Sequence, residues 1–152
     1  MLENQVKINN TDIWTAYGVF LTEERRGGRE NLNAIFSASK VKEHVGVDIR
    51  EQNGKQYSDT LVTKNQERDV TLHFAMTADS RQQLLTKYTN FIQFLKSGVN
   101  GWLDIKFPPL ANLTLHVFYV SSTDFRALTC LWVEGRHVVK FKVTFREPNP
   151  VY

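Results

Sequence analysis

The side chains able to carry proton transfer, metal ligation or nucleophilic attack are few: His44, His73, His116, His137, the lone Cys130, and Asp48, Asp104 and Asp124. The histidines are scattered, with neither HxH nor HExxH spacing, and three of them fall within predicted strands. They read as surface or hydrogen-bonded strand residues, and no metal site is specified. Cys130 lies in the apolar run LTCLWV with no cation beside it to favour the thiolate, which predicts a buried, inert thiol. No motif pairs the aspartates. An enzyme on a β-barrel would need an Asp–His pocket assembled by the fold, and the sequence itself carries no catalytic, cofactor or small-molecule signature.

The stretch EERRGGRE at 23–30 combines arginines with a glycine pair, yet it lacks GxxxxGK[ST] and no confident helix follows to hold phosphate. Arg25, Arg26 and Arg29 are balanced by Glu23, Glu24 and Glu30. That balance suits a solvated loop, or a surface meeting another protein through complementary pairs, better than one meeting a polyanion. Trp14, Trp102 and Trp132 are the other lead. Trp102 and Phe118 are candidates for a second apolar sheet face, and Trp102 or Trp132 could serve a carbohydrate- or peptide-binding β-sandwich as a stacking platform.

The elements that must position these groups are mostly strands. Alternation predicts strands at 5–8, 17–21 (with Ile13 and Trp14 leading in), 45–49, from Gln56, 70–76, 102–107, 113–120, 127–133 and 137–146. The strand at 45–49 reads as half-buried, and Asn53-Gly54 marks a type I′ hairpin after it. Residues 9–12 and Asn100-Gly101 read as turns, Pro108-Pro109 as a strand end, and 22–42 as a long irregular loop. One segment has a helical period. Leu84, Leu85, Tyr88, Phe91, Ile92 and Leu95 form an apolar stripe over 80–97, opposite Gln82, Gln83, Lys87, Asn90 and Lys96, with Ser80 fitting a capping box, Asp79 as a competing cap and Gly98 as the stop. The expectation is a mainly β domain with one α-helix: a β-sandwich or barrel flanked by a single amphipathic helix.

At 152 residues, 41% hydrophobic and 23% charged, the chain suits a single domain over 1–152. A net charge of +3 is mild for a dedicated duplex-DNA binder. A single cysteine, no apolar signal core and no membrane-length stretch predict a soluble protein made in a cytoplasm.

Several segments together resemble phage distal tail proteins and the related tail-tube proteins of long-tailed phages. KINNTDIWTAYGVFL resembles their opening, ERDVTLHF followed by SRQQLLTKYTNFIQFLKSG their strand and helix, and WLDIKF, LTLHVFYV and KFKVTFREPNPV the remaining strands. The similarity covers most of the chain, in order, as a pattern of element types. It implies a structural virion (or prophage) tail protein without catalysis or cofactor, assembled in the bacterial host cytoplasm. The expected partners are further copies in a ring, usually a hexamer, and other tail proteins, with DNA passing the lumen without specific binding. Family loops often mediate ring contacts, which puts the expected assembly surface on Arg25, Arg26, Gly27, Gly28, Arg29, Glu30 and Phe36. Many distal tail proteins add a second, carbohydrate-binding-like domain that this sequence does not show, so distal-tail and tail-tube roles both stay open.

Overall fold

The computed structural model describes residues 3–23 and 25–150. Its strands are β1 (Lys7–Ile8), β2 (Thr11–Asp12), β3 (Val19–Leu21), β4 (Val47–Asp48), β5 (Lys55–Gln56), β6 (Arg68–Ala78), β7 (Leu103–Phe107), β8 (Leu113–Ala127) and β9 (His137–Glu147). Three α-helices interrupt them: α1 (Ile13–Tyr17), α2 (Glu30–Phe36) and α3 (Arg81–Ser97). Seven strands form one antiparallel sheet in the order β2-β1-β7-β8-β9-β6-β3, while β4 and β5 pair only with each other.

The period-two signal of β6, β7 and β9 translates directly into burial. In β9, His137, Val139, Phe141, Val143, Phe145 and Glu147 point inward and the residues between them are only half covered. α3 lies on that inner face. The Ser80 hydroxyl accepts from the Gln83 amide at 3.1 Å, Gly98 ends the helix at φ 48°, and Leu84, Phe91 and Leu95 are fully buried. The Phe91 ring meets Tyr17, Phe74 and Phe141 at 5.5, 5.9 and 6.0 Å between centroids. Leu85, assigned above to the apolar stripe, sits at its margin and stays exposed. The glutamine- and lysine-bearing face points to solvent, as expected of a helix flanking the sheet.

The expectation of a single helix is corrected. Residues 13–17 continue the predicted strand in sequence but coil instead, because Asp12 caps them: its Oδ1 accepts from the Trp14 amide at 3.2 Å and its Oδ2 from the Thr15 hydroxyl at 3.0 Å. Gly18, at φ 68°, stops the turn, and a Cβ there would meet the Thr77 carbonyl oxygen at 2.8 Å. α2 arises inside the predicted irregular loop; its seven residues are too few to establish a period.

Three further expectations change. The 45–49 strand shrinks to the exposed hairpin β4–β5, with Val45 91% exposed. Its turn spans 49–54, and of the Asn53-Gly54 pair only Gly54 takes positive φ, so the two-residue type I′ turn is not made. Strand β8 runs on to Ala127, past the predicted end at 120. The apolar run 127–133 is a loop rather than a strand, and Cys130 is exposed within it, contrary to the buried thiol expected. The other turns hold: Asn9 and Asn10 take positive φ between β1 and β2, as do Asn100 and Gly101 between the bridged Val99 and Trp102.

The two edges of the sheet are tied together. β2 and β3 stand at opposite ends of the strand order, yet only α1 and Gly18 separate them in the chain. A five-residue helix is about 8 Å long, so the sheet must curl until its edges approach. Strand β8 supplies the stagger: Leu113–Val117 pair with β7, and Phe118–Ala127 pair with β9 across two bulges.

Candidate assembly surface

Below Leu21 the third strand stops, and its place beside β6 is taken by α2. Asn31, on that helix, imitates a strand: its Oδ1 accepts from the His73 amide at 2.7 Å, and its Nδ2 donates to the Thr22 carbonyl at 2.7 Å and the His73 carbonyl at 3.2 Å. The Thr22 amide completes the patch by donating to the His73 carbonyl at 2.9 Å. The carboxamide thereby closes an open sheet edge. Asn31→Ala should cost about 1–3 kcal/mol, the penalty for a buried group left unsatisfied. Urea denaturation checks this, together with faster hydrogen exchange at the His73 amide.

The carbonyls at the other end of α2 are held by Arg68, whose Nη1 donates to Ile35 O at 3.1 Å and to Ser37 O. Its Nη2 lies 3.5 Å from Glu147 Oε2, both side chains being more than nine-tenths buried. Docked this way, α2 faces the end of β7 across a shallow groove of about 260 Å³ lined by Leu21, Leu32, Ile35, Phe107, Pro109 and Leu110 and by the polar Gln5, Thr22, Glu23 and Asn31.

Of the residues expected at an assembly surface, Arg25, Arg26 and Gly27 form an exposed turn, with the Gly28 amide donating to Arg25 O at 2.9 Å. Gly27 takes φ 79° in open space. A Cβ on Gly28 would collide with the Glu30 carboxylate at 2.6 Å, so glycine there lets Glu30 fold back over the loop. Arg29 is the exposed residue before α2, and Phe36 is its exposed last residue. None of this set lines the groove itself, to which the same segment contributes Thr22, Glu23, Asn31, Leu32 and Ile35. Glu24, one of the acids in the charge balance, lies outside the described residues.

Sequence reasoning missed a second feature. Past α2 the chain leaves the body as an arm whose stem is pinned by Lys42 N to Lys64 O and Gln66 N to Lys40 O, both at 2.7 Å, and by Asn65 Nδ2 to Pro150 O at 3.2 Å. Beyond the stem, Val45, Val47, Tyr57, Leu61 and Val62 are all exposed. The signal lies in the sequence: the apolar alternation at 45–49 marks one face for burial and leaves open which surface covers it.

The aromatic leads separate. Trp102 stacks on His116 at 4.5 Å and 13° and meets Phe118 edge-on at 5.6 Å, while His116 Nδ1 bonds Asp104 Oδ1 at 2.7 Å. One face of Trp102 is therefore already taken. Trp132 is 89% exposed. Among the described residues, no three His, Cys, Asp or Glu side chains lie close enough to hold a metal ion, and no helix is long and apolar enough to cross a membrane. Of the outward cations on β9, Lys142 pairs with Asp124 at 2.9 Å and Arg146 with Asp69 at 2.8 Å, and the Lys142 ammonium holds the Asp124 carboxyl below its usual range.

The fold is similar to that of a phage tail hub protein. It superposes on the solved structure of the Dit protein of phage SPP1, described as a paradigm of the hub adsorption apparatus in phages infecting Gram-positive bacteria, with a TM-score of 0.58 and 16% identity. The match covers 92% of this chain and 48% of that one, so the chain spans about half the length of its structural relative. No family profile and no curated protein sequence matches the chain.

Proposed function

We propose that the chain is a structural, non-catalytic tail protein of a long-tailed phage or prophage, of distal-tail or tail-tube type. As one domain it assembles with its own copies into a ring, a hexamer by analogy with the family, around a lumen that DNA traverses without specific binding. Its place is the virion tail, built in the host cytoplasm with other tail proteins as neighbours. The shared fold supports this reading. The observation that carries it is the arm, because an isolated soluble subunit does not hold out Val45, Val47, Tyr57, Leu61 and Val62 on an element with no body of its own to cover them.

Substituting Val45, Val47 and Leu61 together by serine should leave the fold intact, with thermal stability changed by about 0.5 kcal/mol or less per site, and should abolish ring particles. Light scattering at high concentration and negative-stain microscopy read the outcome. Unchanged rings would remove the arm from the contact, and a wild-type chain that stays monomeric even beside its tail partners would overturn the assembly reading.

A further inference from the structure

Two Asn-Gly pairs occur in the chain, Asn53-Gly54 and Asn100-Gly101. Asparagine before glycine is the pairing that loses its side-chain amide most readily in water. With no Cβ in the way, the glycine nitrogen can reach the preceding carboxamide carbon. Both pairs lie in turns, both asparagines are exposed, and neither carboxamide is hydrogen-bonded among the described residues.

The backbone separates them. In the turn after α3 the Gly101 amide donates to Ser97 O at 2.9 Å, and Val99 and Trp102 exchange two bonds of 3.0 Å. The nitrogen that would have to attack Asn100 is therefore engaged, inside a turn clamped between α3 and β7. In the arm the Gly54 amide makes no hydrogen bond among the described residues, and the turn holds through Gln52 N to Ile49 O at 3.0 Å. The hairpin it closes is two strands of two residues each, outside the main sheet. A segment held by so few bonds opens readily. Gly54 also stands in open space, so no neighbouring atom hinders the approach.

We propose that Asn53 is a site of spontaneous deamidation, selected over Asn100 by the free Gly54 amide on the arm. The Gly54 nitrogen loses its proton to solvent base and attacks Asn53 Cγ. The new C–N bond closes a succinimide ring while the side-chain nitrogen departs as ammonia. Water then opens the ring at either carbonyl, giving aspartate or isoaspartate. Both products replace a neutral amide by a carboxylate close to Asp48 and Glu51 in the chain. The isoaspartate also adds a methylene to the main chain within the turn, which unsettles the pairing of Val47 with Gln56. The arm thus acquires a one-way change of charge and register with age. The reaction needs no partner copy and proceeds whether or not the chain forms rings.

The test incubates the full-length chain in mildly alkaline buffer and follows both pairs by peptide mapping and mass spectrometry, with enzymatic methyl labelling to detect isoaspartate. Asn53 should convert at least about tenfold faster than Asn100, the margin set by three backbone bonds of ordinary net strength that must open before attack there. In urea, where both turns are lost, the two rates should approach each other. An Asn53 that stays intact, equal conversion of the two pairs in the folded chain, or a contrast that persists unchanged in urea would overturn the assignment.

Discussion

Phe91→Ala is expected to destabilise the chain by about 3–5 kcal/mol, the usual range for deleting a fully buried phenylalanine. For a chain of this size, at about 2–4 °C per kcal/mol, this is a fall of roughly 6–20 °C in Tm. The residue has no solvent exposure, and its ring meets Tyr17, Phe74 and Phe141. It therefore joins α1, β6, β9 and its own helix at one point, where few neighbours can collapse into the cavity. Leu85→Ala on the same helix should change stability by about 0.5 kcal/mol or less, as at ordinary surface sites. Differential scanning calorimetry on the pair measures the contrast, and equal losses at the two positions would show that α3 is rotated from the register described.

Arg68→Met should cost a similar amount, about 3–5 kcal/mol, for a different reason. Methionine fills much of the space, but the Glu147 carboxylate is left buried without its cation and the Ile35 and Ser37 carbonyls lose their donor. The double variant Arg68→Met, Glu147→Leu removes both charges and should recover most of the loss, since a buried pair and an apolar replacement are often nearly equivalent. Chemical denaturation of the two variants reads the difference. A double variant as unstable as the single one would assign the cost to the α2 carbonyls rather than to the stranded charge.

What the sequence disclosed depended on the length over which a pattern was sustained. β6, β9 and α3 each repeat their period across many residues, and their inward faces agree with the alternation and the stripe. α1 and α2 are too short to repeat, so their signals reduced to a cap at Asp12 and an i, i+3 pair at Leu32 and Ile35 that resemble turn and loop chemistry. Val45 and Trp132 show a second limit. Apolar alternation predicts that a side chain will be covered, without saying by which molecule, and both residues are exposed in the single chain. The expected assembly loop at 25–30 was legible as composition alone; the groove in the same region is built by α2 and the end of β7, elements far apart in sequence.

The short helix α1 has a consequence for how this chain comes into being. The two outer strands of the sheet are both supplied by residues 7–21, β1 pairing with residues 105–106 and β3 with 74–76. Residues 7–21 therefore wait on partners that lie far along the chain, and contacts this distant in sequence are slow to form. Until they dock, the nascent sheet has two unpaired flanks at once, each able to recruit a foreign strand. The single segment 7–21 seals both, so shortening it would convert a shielded sheet into one that is sticky at both margins.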